Sequence, residues 1–397
     1  MKKKFLYTAL FALMLAACSE QELTEQPSTP IGGTEVQLPT DVTSGELLIK
    51  FDPAMSEILD RTLKVATRSG GAMTRSGIPS TDEVLDILGT YHFERIFPVD
   101  AKNEERTRAA GLHLWYRVKF DENTDLREAA NRLGKLGEIS KVQGNGHIQR
   151  AYKKQNYRSY ISESALQQKV ASRVVMAGNS FSDPGLATQW HYANSGSNLF
   201  DYQNELGNGS EIGCDVGCME AWKKCTGDPS IIVAVLDEGV MNTHPDLAGN
   251  IWVNEGEELY ADTDADGNGY KDDGIGVCGI AGGDGSENSG VKLMSCQVFS
   301  GDAGVTLDAE ARAIKYAADN GAVILQCSWG YNSSLASIIE GYTPGPGSEE
   351  EWESLYPLEK EALDYFINNA GSPNGVIDGG WLFLLLATNM QECLPFQ

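Results

Sequence analysis

The fold class follows from one run of residues, Ile231-Ile-Val-Ala-Val-Leu-Asp237-Glu-Gly239-Val-Met-Asn-Thr-His244-Pro-Asp-Leu247. The apolar residues before Asp237, several of them β-branched, are typical of a central strand in a parallel sheet. In such sheets, functional side chains lie just beyond the carboxyl ends of the strands. The run therefore predicts an α/β domain that delivers Asp237 to a ligand-binding edge.

Two further core strands and a helix between them are predicted downstream. Residues 291–299 and 322–327 are apolar runs of strand length. One face of the predicted helix carries apolar residues at helical spacing, namely Leu307, Ala311, Ile314 and Ala318. Gly321 follows where this helix would end. The order predicts a β-α-β unit with a right-handed crossover.

The motifs Asp237-Glu-Gly239-Val and His244-Pro-Asp-Leu247 resemble those of the subtilisin-like serine proteases, peptidase family S8. The resemblance implies an α/β fold with an incomplete subtilisin-like parallel sheet and flanking helices. It implies that Asp237 would orient a histidine that deprotonates a serine, in the order Asp, His, Ser. His244 lies inside the same motif as Asp237, so we expect a structural role for it. The alternative is an ordinary strand and turn.

Ser328-Trp329-Gly330 is similar to the family's substrate-binding segment, whose backbone pairs with an extended peptide. Gly330 would permit close approach of that peptide. The Gln-Trp-His sequence that ends at His191 is similar to the start of the family's catalytic domains. We predict a partial peptidase domain over residues 185–380 with protein or peptide substrates. A simple strand-ending turn is the alternative interpretation of the Ser328-Trp329-Gly330 segment.

The histidine and serine segments that the resemblance requires do not occur in this sequence. There is no His-Gly pair, and the five histidines, at positions 92, 113, 147, 191 and 244, all precede Asp262. No Gly-Thr-Ser-x-Ala segment occurs, and Ser328 belongs to a different motif. Because hydrolysis needs both the base and the nucleophile, we expect negligible peptidase activity.

Residues 262–273 predict a calcium loop. Oxygen ligands stand at alternate positions before a glycine, and the predicted ligands are Asp262, Asp264, Asp266, Asn268, Tyr270 and Asp273. The loop ends in Asp rather than the longer Glu, and flanking EF-hand helices are not evident. It resembles the isolated calcium loops of subtilisin relatives, which implies a structural Ca²⁺. The alternative is an Asp-Gly-Asn turn without metal.

The N-terminus has the pattern of an export signal. Met1-Lys-Lys-Lys4 precedes the apolar residues 5–17, and Leu15-Ala-Ala-Cys18 is similar to a bacterial lipobox. The resemblance implies that Cys18 is lipidated and anchors an exported protein to a bacterial membrane, at the outer membrane or cell surface. A plain signal peptide is the alternative. Residues 18–44 have the composition of a flexible tether.

Residues 45–150 predict a small α+β (ferredoxin-like) domain. Residues 46–51 and 112–120 are predicted strands, and a helix is marked by the stripe Leu126, Ala129, Leu133 and Leu136. The Thr-Arg-Ser-Gly copies that begin at Thr67 and Thr74 predict a loop insertion. The position of this domain resembles that of a subtilisin prodomain, which implies that it binds the peptidase domain. A free-standing binding domain is the alternative. Residues 151–184 predict an exposed processing linker.

Charge and cysteine content exclude two classes of partner. The net charge of -25 argues against a nucleic-acid partner, because phosphate contacts need clustered Lys and Arg. Cys214, Cys218 and Cys225 lack the Cys-x-x-Cys spacing of a zinc site, although a disulfide among them is open. Cys296 and Cys327 lie in apolar runs and are expected in the core.

Residues 381–397 are predicted to be translated out of frame. Trp381 to Asn389 can be encoded as TGG CTA TTC TTG CTG CTG GCA ACG AAT, which two nucleotides later reads Ala-Ile-Leu-Ala-Ala-Gly-Asn. That peptide is similar to the family's strand and oxyanion-hole asparagine motif. An in-frame apolar core strand is the alternative, and the DNA sequence of the locus distinguishes the two.

Three hypotheses follow for the whole chain. The first is a lipid-anchored subtilisin-family endopeptidase that lacks its base and nucleophile. The second is a surface pseudoenzyme or prodomain-type inhibitor that binds the cleft of an intact relative. The third is an unstable fragment, because loss of core strands leaves apolar faces uncovered.

Overall fold

The structure is a computed structural model that describes residues 36–39, 42–69, 73–148, 191–192, 194, 212–240, 247–255, 289–299, 304–331 and 345–384. These residues lie within one compact unit, Glu35–Gln397. The described residues form two sheets, one antiparallel and one parallel. Among the helices in these ranges, none combines the length and the apolar character that crossing a bilayer requires.

The N-terminal part is an α+β unit built on an antiparallel sheet. Its strands are β1 (Val42–Phe51), β2 (His92–Arg95), β3 (Trp115–Lys119) and β4 (Ile139–Ile148), in the spatial order β2-β3-β1-β4. Its helices are α1 (Ser56–Ser69), α2 (Pro79–Ile87), α3 (Glu104–Ala109) and α4 (Leu126–Leu133). Large apolar side chains such as Phe51, Phe93 and Tyr116 form a core of its own between the sheet and these helices.

Local sequence explains where α4 begins and which face it buries. The Asp125 side chain accepts hydrogen bonds from the N–H groups of Arg127 and Glu128, so it caps the start of the helix. Ala129 and Leu133 are fully buried against the sheet. The predicted helical stripe therefore forms over Leu126, Ala129 and Leu133, whereas Leu136 lies beyond the end of α4 and packs against the same core.

The C-terminal part contains the parallel sheet. Its strands are β5 (Ile232–Asp237), β6 (Lys292–Gln297), β8 (Ala322–Cys327) and β9 (Trp381–Leu384), in the spatial order β6-β5-β8-β9. The helices of this part are α5 (Cys218–Trp222), α6 (Leu307–Asp319), α7 (Glu349–Leu355) and α8 (Pro357–Asn369). Alternate residues of β5, namely Ile232, Ala234 and Leu236, are buried in a core shared with α6 and α8. The predicted α/β fold class is confirmed.

A two-residue strand, β7 (Val305–Thr306), joins the two parts. It precedes α6, yet it pairs antiparallel with the end of β4, where His147 is opposite Thr306 and Ile148 is opposite Val305. Gly304 lies so close to this joint that an added Cβ would be 2.1 Å from the carbonyl oxygen of Ile148. The antiparallel sheet therefore continues into the C-terminal part of the chain.

Three expectations about the N-terminal unit need correction. Leu112–Leu114 form a 3₁₀ helix, so only Trp115–Lys119 of the predicted second strand are extended. The first Thr-Arg-Ser-Gly copy is not a loop, because α1 continues to Ser69. Val36 and Leu38 pack against the N-terminal core, so the ordered unit begins before residue 44, the predicted end of the tether.

Candidate functional site

Asp237 is the last residue of β5, at the carboxyl edge of the parallel sheet. Its carbonyl oxygen accepts hydrogen bonds from the N–H groups of Val298 and Phe299, at 2.9 and 3.2 Å. Its carboxylate oxygen Oδ1 accepts the N–H of Glu238 at 2.8 Å. Gly239 then turns the chain with φ +114°, a value that residues with a side chain rarely adopt. Backbone contacts on both sides thus fix the half-buried Asp237 at this edge.

The segment Ser328-Trp329-Gly330 leaves β8 at the same edge. The indole Nε1 of Trp329 donates a hydrogen bond to the carbonyl oxygen of Leu236 at 3.1 Å, one residue before Asp237. The Trp329 ring also meets Phe299 edge to face, with centroids 6.1 Å apart. Ser328 and Gly330 are exposed. The structure therefore brings Asp237 and the predicted substrate-binding segment together.

The other predicted site residues lie outside the described part of the chain. These are the six calcium ligands between Asp262 and Asp273, together with His244 and Cys18. Within the described ranges, no group of three or more His, Cys, Asp or Glu side chains has a metal-binding arrangement. Two of the described histidines have polar partners in the N-terminal unit, since His92 contacts Glu94 and His113 contacts Ser56.

The helices α6 and α8 are here called the helix pair. A second polar site joins the N-terminal unit to this helix pair. Asn145 and Gln143 stand on one face of β4, and each is almost fully buried. The Asn145 side chain accepts the N–H of Asp308 in the first turn of α6, at 3.3 Å. The Gln143 side chain accepts the N–H of Leu358 in the first turn of α8, at 2.9 Å. One strand therefore caps the N-termini of both helices.

The opposite ends of the helix pair share one arginine of α3. The guanidinium of Arg106 donates to the carbonyl oxygen of Asp319, at the end of α6, at 3.3 Å. It also donates to the carbonyl oxygen of Asn369, at the end of α8, at 3.1 Å. A cation is favourable at helix C-termini because the free carbonyl groups carry partial negative charge. The N-terminal unit thus contacts the helix pair at both ends.

Partly buried ion pairs strengthen the same interface. Asp308 contacts Arg117 of β3 at 2.7 Å, and Glu361 of α8 contacts Lys50 of β1 at 2.7 Å. Burial alone would raise the pKa of Asp308, but Arg117 and hydrogen bonds hold that pKa below its ordinary value. The pKa of Glu361 is likewise lowered, since Lys50 and Lys141 outweigh the effect of burial. Both carboxylates are therefore stabilised in their charged form.

The helix-pair contacts were not predicted from the sequence. The sequence does contain one signal for these contacts, the pattern Gln143-Gly-Asn145-Gly in a strand. In this pattern the two polar side chains lie on one face of the strand and glycines alternate with them. Such residues need polar partners when the face is covered. The partner of Asn145 lies 163 positions away, so spacing along the chain gives no indication of it.

The sequence of the parallel-sheet part matches a known family. Residues 228–374 match the model of the subtilase family, Peptidase_S8, and this range includes Asp237, the Ser328-Trp329-Gly330 segment and the helix pair. The segment belongs to the subtilase family. Its β-α-β order and the position of Asp237 at the sheet edge agree with that assignment.

Parts of the chain are similar to curated proteases. Fervidolysin of Fervidobacterium pennivorans is 35% identical over 208 residues, covering 42% of this chain and 28% of that protein. The halolysin-like extracellular serine protease Nep of Natrialba magadii is 30% identical over 126 residues, covering 29% of this chain and 23% of that protein. The calcium-dependent protease of Trichormus variabilis is 26% identical over 205 residues, covering 48% of this chain and 27% of that protein. The matches span about a quarter of the length of these relatives.

The crystal structure of fervidolysin was also compared with the whole chain. It superposes with a TM-score of 0.37 and 18% sequence identity, covering 83% of this chain and 39% of that chain. The fold of the subtilase segment follows from its own strand order and from the family match.

Proposed function

We propose that the N-terminal α+β unit is a prodomain-type inhibitor bound to a subtilase segment that does not hydrolyse peptides in its present sequence. The observation that carries this proposal is the contact of one unit with both ends of the helix pair, through Gln143, Asn145 and Arg106. A unit that supplies caps at all four helix ends binds that helix pair specifically.

The inferred parent reaction is acyl transfer from a protein or peptide to water. In that reaction Asp237 holds a histidine in the correct orientation, and the histidine removes the proton of a serine. Between Asp237 and β6 the sequence supplies one histidine, His244, inside the aspartate motif itself. In subtilisin, loss of the histidine costs on the order of a millionfold in turnover. We therefore assign Asp237 no catalytic role in the chain as it stands.

Peptide binding is a separate property that the subtilase segment retains in this proposal. The exposed backbone of Ser328 and Gly330, next to Asp237, is suited to pair with an extended peptide. Trp329 fixes that backbone through its hydrogen bond to Leu236 and its ring contact with Phe299. The substrate class of the segment is thus an extended protein or peptide chain.

Export and anchoring complete the proposal. Residues 1–17 act as the signal and Cys18 carries the lipid, which places the protein on a bacterial membrane. Radioactive palmitate fed to expressing cells should label the wild type and not Cys18→Ser. Equal labelling of both proteins contradicts the lipid anchor and leaves the inhibitor proposal unaffected.

The inhibitor proposal is tested with the fragment of residues 36–148, which has its own hydrophobic core. We expect this fragment to inhibit an active subtilase, and the double variant Gln143→Ala and Asn145→Ala to inhibit at least tenfold more weakly. The exposed variant Asn123→Ala is the matched control. No inhibition by the folded fragment would refute the inhibitor role. Casein hydrolysis by the full chain, abolished in Asp237→Ala, would refute the claim of inactivity.

A further inference from the structure

Two glutamates are buried at the first turns of the helix pair. Glu310 of α6 is 1% exposed and Glu359 of α8 is 6% exposed. The Oε2 atom of Glu310 has no hydrogen-bond partner within the described residues. A buried carboxyl group without a partner is costly when it is ionised. This carboxyl pair, Glu310 and Glu359, therefore needs a physical explanation that the capping contacts do not provide.

Glu359 connects three separate elements. Its Oε2 atom accepts a hydrogen bond from the hydroxyl of Tyr331, the residue that follows the Ser328-Trp329-Gly330 segment. The same atom accepts the indole N–H of Trp352, on α7, at 3.0 Å. The Tyr331 ring also packs on Tyr356, with centroids 4.9 Å apart. The residue that follows the predicted peptide-binding segment is thus hydrogen-bonded to a buried carboxylate.

Other titratable groups surround the carboxyl pair. They are Cys327 at the end of β8, Cys296 on β6, and Tyr331 and Tyr356. Burial and the nearby glutamates raise the pKa of Cys327 and the pKa of Tyr331. Asp237 acts on Cys327 in the same direction. The raised pKa values keep Cys327 and Tyr331 protonated at ordinary pH.

Burial and mutual repulsion act together on the carboxyl pair. Burial and the negative charge of Glu359 raise the pKa of Glu310 well above the ordinary value for glutamate. Burial also raises the pKa of Glu359, although the hydrogen bonds from Tyr331 and Trp352 oppose that effect. Glu359 is therefore the member that ionises first, and Glu310 is the member that keeps its proton.

We propose that Glu310 and Glu359 retain one proton between them, and that this proton is required to hold Tyr331 and Trp352 over the ends of the helix pair. With the proton on Glu310, the pair carries a single charge that two hydrogen-bond donors stabilise. When Glu310 releases the proton to solvent, the buried pair carries two negative charges that repel each other. The repulsion is relieved when Tyr331 and Trp352 move outward and admit water.

The direction of the pH dependence follows from the raised pKa values. Unfolded glutamate titrates near 4.5, whereas the folded carboxyl pair holds its proton to higher pH. Above pH 4.5 the folded state therefore binds more protons than the unfolded state, and stability falls as pH rises. The loss is complete once the pH passes the folded pKa. The effect is opposite in sign to that of the ion-paired Asp308 and Glu361.

The test compares the full-length wild type with Glu310→Gln, which mimics the protonated side chain at nearly the same size. We expect the thermal midpoint of Glu310→Gln to match that of the wild type near pH 4.5 and to exceed it increasingly from pH 6 to pH 9. Acrylamide quenching of Trp352 fluorescence, assigned with Trp352→Phe, should increase with pH in the wild type alone. Glu349→Gln, an exposed variant with the same charge change, should follow the wild type.

A second variant keeps the test decisive if Glu310→Gln does not fold. Glu359→Gln removes the repulsion while Glu310 stays buried, so the wild-type decline in midpoint between pH 6 and pH 9 should become smaller without vanishing. Parallel pH profiles for the wild type and either folded variant would overturn the proposal. Neither measurement depends on peptide hydrolysis or inhibition, so this test and that of the proposed function fail independently.

Discussion

Asn145 and Asp308 hydrogen-bond to each other twice, although they belong to different parts of the chain. The side-chain Nδ2 of Asn145 donates to Oδ1 of Asp308 at 2.9 Å, and Oδ1 of Asn145 accepts the N–H of Asp308 at 3.3 Å. Asp308 is also paired with Arg117. A neutral amide and an ion pair thus act on the same buried helix terminus.

Replacing Asn145 with alanine should destabilise the chain by about 1–3 kcal/mol, because the buried N–H of Asp308 loses its acceptor and the Asp308 carboxylate loses one of its donors. Denaturant unfolding followed by circular dichroism measures this change in the free energy of unfolding. The exposed Asn368→Ala is the control, and it should stay within about 0.5 kcal/mol of the wild type. Equal stability of Asn145→Ala and the wild type would contradict the capping role.

Replacing Arg106 should loosen the far ends of the helix pair. Arg106→Ala removes the contacts with the carbonyl oxygens of Asp319 and Asn369. We expect a loss of about 1–2 kcal/mol, and faster amide exchange in the last turns of both helices. Arg106→Lys should recover less than half of the loss, since an ammonium cannot reproduce the planar fork of donors. Full recovery by lysine would show that charge alone is sufficient.

His113 should make the N-terminal unit less stable in acid. Burial, then Arg108 and Arg95, lower the pKa of His113 from 6.5 to about 4. Between those values the unfolded chain binds the proton and the folded chain does not, so stability is complete above pH 6.5 and falls toward pH 4. We expect about 1–2 kcal/mol after allowance for solvent screening. His113→Gln should remove this part of the pH profile, measured by thermal unfolding, and an unchanged profile would argue against it.

Calcium should stabilise the chain through the loop that contains Asp262, Asp264 and Asp266. Since a ligand that binds the folded state raises stability, 1 mM Ca²⁺ should raise the thermal midpoint, and EDTA should reverse the increase. The double variant Asp262→Asn and Asp264→Asn should need at least ten times more calcium to reach the same rise in thermal midpoint. The variant Asp121→Asn, in an exposed turn of the N-terminal unit, should respond like the wild type. Absence of any calcium response in the wild type would favour a metal-free turn.

Periodicity predicted the elements whose neighbours lie close in sequence. β8 has the same bounds as predicted, and α6 contains the predicted stripe and ends before Gly321, whose φ of +85° suits a helix stop. β5 ends at Asp237, as the run of β-branched residues indicated. These elements follow from local burial patterns, which the sequence contains directly.

Features that depend on distant partners could not be predicted in the same way. β7 has two residues, too few for a periodic signal, and its strand partner is more than 150 positions earlier. The burial of Glu310 and Glu359 contradicts the usual exposure of glutamate, because each is covered by elements that other parts of the chain supply. Leu112–Leu114 form a 3₁₀ helix after Gly111, whose φ of 71° interrupts the strand.

Because β4 pairs with β7, the N-terminal unit competes with any added extended peptide for the edge of β7. The edge of Val305–Thr306 that pairs with His147 and Ile148 is not available to any other extended peptide. A segment of the same chain competes intramolecularly, so its occupancy of this edge does not depend on protein concentration. The apparent affinity of an added peptide for this edge would therefore measure the cost of displacing β4 as well as the contacts that the peptide itself makes.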